Sequence, residues 1–99
     1  MDKQDKLILL FDYYGDLLSE SQKNYFESYY FDNLSLAEVS ENNNVSRNAV
    51  SKDLKLTIEK LNSYEEKLGL MKKDKSLRKL VDKISDTNLK EEIINLLDE

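Results

Sequence analysis

Residues 35–54 read SLAEVSENNNVSRNAVSKDL and carry the clearest signal of local structure in the chain. Ser35 and Glu38 have the spacing of a capping box, which predicts the start of a short helix. Asn44 stands where a tight turn needs a positive φ angle, a conformation that asparagine tolerates. Ser46 follows as a typical N-cap. Two helices joined by so short a turn predict a helix-turn-helix.

The second helix of this motif carries an apolar stripe at helical spacing. The stripe contains Val50, Leu54, Ile58, Leu61 and Leu68. No proline or glycine interrupts the helix before Gly69, so we predict a helix of about 22 residues. Ser40 and Asn44 of the motif differ from the alanine and glycine that are commoner at those positions.

The flanking segments also have helical periodicity. We predict a first helix from Asp2 to Leu18, a second from Glu20 to Phe31, and two amphipathic helices in the tail. The fold class is therefore all-α: a helix-turn-helix bundle, winged-helix-like or sigma region 4-like, with a long fourth helix and a C-terminal helical tail. Residues 1–71 form the helix-turn-helix domain. Residues 72–99 form a C-terminal extension that packs on the same domain or on a dimer partner.

Composition excludes several classes of function. The chain contains no histidine, no cysteine and no glycine-rich phosphate loop, so we expect no enzyme activity, no catalytic residue, no metal site, no cofactor and no small-molecule substrate. The acidic N-terminal residues do not resemble a signal peptide, and no apolar run is long enough to span a membrane. A cytoplasmic protein without a membrane partner is the expectation.

The start of the second motif helix carries the candidate nucleic-acid-binding residues, because this end of the helix meets base edges in the usual docking mode. They are Ser46, Arg47, Asn48, Ser51, Lys52 and Lys55. Arginine suits guanine, asparagine suits adenine, and lysine suits phosphate. Residues 46–61 carry four basic and two acidic side chains, whereas residues 19–68 carry six basic and nine acidic ones. This balance suits a weak or selective contact, and a purely solvated helix face is the alternative.

Apolar surface beyond the needs of one small core predicts a homodimer. The candidate interface residues are Leu7, Leu10, Ile58, Leu61, Tyr64 and Leu68. In the alternative, the tail helices fold back and cover the same stripe within one chain.

Residues 5–71 resemble the YlxM family of Gram-positive bacteria and mollicutes. The more specific pieces are Tyr25–Tyr30 before Asp32, Leu34–Leu36, Asn44–Arg47 and Tyr64–Leu68. The helix-turn-helix by itself also resembles sigma factor region 4, but the flanking pieces favour YlxM. This chain departs from the family pattern with Asn48 in place of glutamine, Ser51 in place of tyrosine, and Leu56 in place of a basic residue.

The resemblance implies a non-enzymatic accessory or regulatory protein of the signal recognition particle pathway, which binds the particle's RNA or protein components. A DNA-binding transcriptional regulator that uses the same helix is the alternative. A purely structural interaction domain, whose helix-turn-helix contacts no nucleic acid, is a third hypothesis.

Overall fold

The computed structural model describes residues 2–99 and shows helices but no strand among them. The predicted all-α fold is therefore confirmed. The helices are α1 (Lys3–Tyr14), α2 (Glu20–Phe26), α3 (Leu36–Asn43), α4 (Arg47–Leu68), α5 (Leu70–Val81) and α6 (Thr87–Leu97). The predicted length of the fourth helix agrees with the 22 residues of α4.

The first two helical segments change their helix type before they end, and the second runs to Phe31 as predicted. After Tyr14 the chain tightens into a 3-10 turn at Gly15–Leu17. A side chain at Gly15 would have its Cβ 3.2 Å from the ring of Phe11, so this glycine allows the turn to pack closely on α1. After α2 the helix widens into a π-helical turn, Glu27–Phe31.

Capping boxes begin α2 and α3, and the one at α3 is the box that the sequence predicts. In the first, Ser19 Oγ accepts the backbone N–H of Gln22 at 3.3 Å, and the Gln22 side chain accepts the N–H of Ser19 at 3.1 Å. Ser35 and Glu38 make the same reciprocal pair, with both distances at 3.1 Å. Each box satisfies two backbone donors that the helix itself leaves without a partner.

The core lies where α1, α2 and α3 pack around the first four turns of α4. Its largest fully buried side chains include Leu10, Tyr14, Phe26 and Leu61. The Phe11 ring stacks almost parallel on Phe26, with ring centroids 4.5 Å apart. This packing holds α3 and the start of α4 in a fixed relation to the rest of the chain.

The C-terminal helices form an extension that makes the molecule long. Its dimensions are 55 × 25 × 23 Å with a radius of gyration of 17.0 Å, whereas a compact domain of this size has about 13 Å. α5 begins at Leu70, two residues before the predicted start of the extension, and its Met71 is buried in the core. α6 packs against α5, where Arg78 donates to Asp98 at 2.7 Å.

Candidate nucleic-acid interface

The helix-turn-helix consists of α3, the turn Asn44–Ser46 and α4. Asn44 has φ 55° and ψ 41°, which is the left-handed conformation that the sequence predicts. The N–H of Val45 closes the turn by donating to the carbonyl of Ser40 at 3.1 Å. Ser46 Oγ then accepts the N–H of Ala49 at 3.0 Å and begins α4. The predicted turn and N-cap are both confirmed.

Ser40 shows how this motif accepts a polar residue where its helices cross. Its side chain is buried, and its hydroxyl donates to the carbonyl of Ala37 in the preceding turn at 2.7 Å. Because the hydroxyl has a partner within its own helix, the polar group is buried without a large cost. Val39, Val50 and Leu54 fill the space around the crossing.

All six predicted binding residues are exposed, and five of them share one face of α4. Ser46 caps the helix, while Arg47, Ser51 and Lys55 follow one another on successive turns. Asn48 and Lys52 lie beside them. The structure therefore brings these side chains together at the solvent-facing start of the helix, as recognition by this motif requires.

The cations of this face have no acidic partner within the described chain. Arg47, Lys52 and Lys55 take part in none of the ion pairs formed by residues 2–99. Asp53 is the one acidic residue in these turns of α4, and its carboxylate accepts the Thr57 hydroxyl at 3.3 Å. The next acidic residue, Glu59, lies one turn beyond Lys55. The positive potential is thus concentrated on the first three turns of α4, where a phosphate would meet it without first displacing a carboxylate.

An open groove of about 410 Å³ runs along the side of this face. Ser51 and Lys55 line one wall, and the half-buried Tyr29 and Tyr30 line another. Burial, followed by the influence of Tyr29, raises the pKa of Tyr30. The Tyr30 phenol is therefore neutral at physiological pH. The rings of Tyr29 and Tyr30 both lie next to the predicted binding residues.

The predicted dimer residues need a correction, because one chain already covers half of them. Leu10 and Leu61 are fully buried and Leu7 is 8% exposed, all within a single core. In this conformation they have no surface for a second copy, since the faces of α1 and α4 pack against each other. Ile58 and Tyr64 are half-buried against the same core. The sixth, Leu68, is 55% exposed.

Periodicity did not reveal the polar corner between α4 and α5. Glu65 accepts the hydroxyl of Tyr14 at 2.6 Å and the N–H groups of Met71 and Lys72 at 3.0 and 3.1 Å. The Tyr14 oxygen in turn accepts the N–H of Leu70 at 3.0 Å. Burial is the largest influence on the pKa of Glu65 and raises it, but the three hydrogen bonds together lower the pKa overall. An acidic residue four positions before a helix-ending glycine was the only signal in the sequence.

A second polar chain joins α1 to the extension. The Tyr13 hydroxyl donates to Asp74, which also accepts Arg78 Nε at 3.0 Å. Burial and then the bond to Asp74 raise the pKa of Tyr13 to about 12. Since Arg78 also bonds Asp98, this chain ties α1, α5 and α6 together.

Two kinds of feature are absent from the part of the chain that the structure describes. Residues 2–99 contain no cluster of three or more histidine, cysteine or acidic side chains that could hold a metal ion. Among the same residues, no helix is both long and apolar enough to cross a membrane.

The comparisons with known proteins agree with this architecture. Over residues 1–99 the chain matches the UPF0122 family, described as "Putative helix-turn-helix protein, YlxM / p13 like". A UPF0122 protein of Desulforamulus reducens is 46% identical over 99 residues, which cover 99% of this chain and 76% of the relative. One from Listeria innocua is 42% identical over 98 residues (99% and 86%), and one from Bacillus cereus is 40% identical over 95 residues (96% and 86%). The resemblance to YlxM is thereby confirmed, and the chain belongs to the UPF0122 family of YlxM/p13-like helix-turn-helix proteins.

Proposed function

We propose that the protein is a non-enzymatic, cytoplasmic accessory factor that binds nucleic acid through the start of α4, and that its ligand is the RNA of the signal recognition particle. One observation carries the proposal. Arg47, Lys52 and Lys55 are exposed together, without acidic partners in residues 2–99, at the end of the helix that this motif presents to nucleic acid.

The groove beside α4 supports RNA as the ligand. Sequence-specific RNA recognition uses unpaired bases that stack on aromatic side chains. Tyr29 and Tyr30 are half-buried and line the same groove as Lys55. An unpaired base can stack on these rings while Lys55 contacts the neighbouring phosphate. The resemblance to YlxM supplies the reason to test the particle's RNA first.

A DNA-binding regulator is the second candidate, and a different observation favours it. Arg47 and Asn48 are exposed in the first turn of α4, the position from which side chains reach base edges in the major groove. Arginine pairs with guanine and asparagine with adenine through two hydrogen bonds each. The same pair of residues therefore suits site-specific binding to duplex DNA.

Fluorescence anisotropy with two labelled probes tests the proposal. The probes are the signal recognition particle RNA and a random-sequence DNA duplex, each titrated across a range of salt concentrations. We expect the RNA to bind more tightly, and a double variant, Arg47→Ala with Lys52→Ala, to flatten the dependence of log K on log salt by about 0.7–0.9 per lost phosphate contact. Lys67→Ala, an exposed lysine at the far end of α4, is the matched control and leaves the slope unchanged.

Each other outcome has a definite meaning. Tighter binding to one DNA sequence than to the RNA supports the regulator. No binding to either probe, together with capture by the particle's GTPase or its receptor, overturns nucleic-acid binding and supports a protein contact. Equal binding by the double variant and the wild type means that this face of α4 does not bind the nucleic acid.

A further inference from the structure

The charge of the helix-turn-helix region does not match its proposed ligand. Residues 19–68 carry nine acidic and six basic side chains. Affinity for nucleic acid comes largely from neutralised phosphates, so a net negative region binds weakly by itself. The positive charge that is missing there is present in α5, where five basic residues accompany a single acidic one.

Three lysines of α5 form one exposed stripe. Lys72, Lys75 and Lys79 follow at spacings of three and four residues, and all three are exposed. None takes part in an ion pair with another residue in the range 2–99. Lys83 lies in the turn that follows and is exposed as well. We call Lys72, Lys75 and Lys79 the α5 lysine stripe.

Most of this arrangement does not stabilise the helix, since only Lys79, in the last turn, is favoured by the helix dipole. Like charges three and four residues apart repel each other. Lys72 also lies in the first turn of α5, where the helix dipole disfavours a cation, and that turn has no acidic residue. Helix stability alone therefore does not account for the stripe, whereas contact with a polyanion would.

The extension holds the stripe in place relative to the helix-turn-helix. Glu65 of α4 accepts the N–H of Met71 and of Lys72 itself, and Asp74 of α5 bonds Tyr13 of α1. Arg78 is hydrogen-bonded to Asp74 and Asp98, so it helps to hold α5 in place and is not part of the stripe. A fixed position lowers the entropy cost of meeting a rigid ligand.

We infer that the α5 lysine stripe is a second phosphate-binding surface, which contacts the backbone of the same nucleic acid that α4 binds. The inference rests on the proposed function. α4 is about 33 Å long at 1.5 Å per residue, and the stripe begins beyond its far end. Contacts at both places require a nucleic acid that extends along much of the molecule. Phosphate contacts are independent of sequence, so the stripe contributes affinity and the start of α4 contributes selectivity.

The test compares two triple variants of equal net charge. In the first, Lys72→Gln, Lys75→Gln and Lys79→Gln remove the stripe. In the control, glutamine replaces three exposed lysines elsewhere: Lys3, Lys6 and Lys67. Glutamine has nearly the helix propensity of lysine, so both variants are expected to fold, and circular dichroism verifies it. The probes are the signal recognition particle RNA and a random DNA duplex of about 30 base pairs, long enough to reach both surfaces.

The stripe variant is expected to lose up to about 2.7 of the salt slope on duplex DNA, which is 0.9 for each of three phosphates. Between 50 and 200 mM salt the affinity of the wild type then falls about 40-fold more than that of the variant. The control variant keeps the slope of the wild type. An unchanged slope in the stripe variant overturns the inference while leaving the role of α4 intact.

Two further experiments distinguish a failure of the proposed role of α4 from a failure of the inference about the α5 lysine stripe. If Arg47→Ala with Lys52→Ala has no effect but the stripe variant loses affinity, the proposed role of α4 fails and the stripe stands. Phosphatidylglycerol vesicles offer lipid phosphate instead of nucleic acid. Co-sedimentation with vesicles that depends on the stripe, with nucleic-acid binding unchanged in the variant, assigns the stripe to a lipid surface and overturns the inference.

Discussion

The hydroxyl of Tyr14 determines how firmly α1 holds the corner between α4 and α5. The ring is fully buried, and the oxygen makes two hydrogen bonds: it donates to Glu65 at 2.6 Å and accepts the N–H of Leu70 at 3.0 Å. Tyr14→Phe keeps the ring and removes only this oxygen. The variant therefore separates the polar corner from the apolar core around it.

The expected loss follows from the two bonds. A hydrogen bond to a charged group is worth about 1.5–3 kcal/mol, and an ordinary bond such as the partly buried one from the Leu70 N–H is worth about 0.5–1.5 kcal/mol. The Glu65 carboxylate keeps its bonds to Met71 and Lys72, so the two effects are not fully additive. We expect the free energy of unfolding to fall by about 2–4 kcal/mol, a large part of the roughly 5–15 kcal/mol that a domain has.

Thermal and urea denaturation followed by circular dichroism measure this loss. At about 4–8 °C per kcal/mol, Tm is expected to fall by more than about 8 °C. Tyr64→Phe is the matched control, because its half-buried ring lies 5.9 Å from that of Tyr14 and its hydroxyl makes no hydrogen bond to residues 2–99. The control is expected to change stability by less than about 0.5 kcal/mol. Equal losses of stability in the two variants would mean that the hydrogen bonds of the Tyr14 hydroxyl add nothing to the free energy of unfolding.

Three further predictions concern pH, the turn and the oligomeric state. The pKa of Glu65 in the folded protein lies below its ordinary 4.5. The stability that this group contributes is therefore complete above about pH 4.5 and is lost as pH falls through the folded pKa. Glu65→Gln is expected to show a shallower acid transition when unfolding is followed by circular dichroism. Asn44→Ala is expected to cost about 1–2 kcal/mol at φ 55°, whereas Asn44→Gly keeps the stability of the wild type or raises it; urea denaturation of both variants checks the order. Light scattering is expected to give twice the 11.6 kDa mass of one chain. The double variant Leu80→Asp with Leu96→Asp, which changes side chains that are 58% and 67% exposed, is expected to have the mass of one chain. The mass of one chain for the wild type would rule out the dimer.

The features that the sequence predicts correctly are local ones. The capping box of Ser35 and Glu38, the left-handed Asn44 and the N-cap Ser46 each depend on residues at most three positions apart. The stop of α4 at Gly69 needs only the conformational freedom of glycine at φ 63°. The exposed position of Lys52 follows from the apolar stripe on the opposite side of the same helix. That of Arg47 does not, since Arg47 lies three and seven residues before Val50 and Leu54 and so on the side of the stripe.

The features that the sequence does not predict depend on residues far apart in the chain. Tyr14 and Glu65 are 51 positions apart, and a tyrosine in an apolar stripe gives no sign of where its hydroxyl points. The burial of three of the six predicted interface residues has the same cause. The stripes that contain Leu10 and Leu61 show that a face is covered, but periodicity does not tell whether a neighbouring helix or a second chain covers it.

Amide NMR of the labelled protein, titrated with signal recognition particle RNA and separately with a DNA duplex, tests the proposed role of α4 residue by residue. The claim is that the start of α4 binds nucleic acid. It predicts that the amide signals of Arg47, Asn48, Ser51, Lys52 and Lys55 shift with the RNA and saturate together, more strongly than with random DNA. If these signals stay unchanged with both nucleic acids, or if only residues outside α3 and α4 shift, the claim is contradicted.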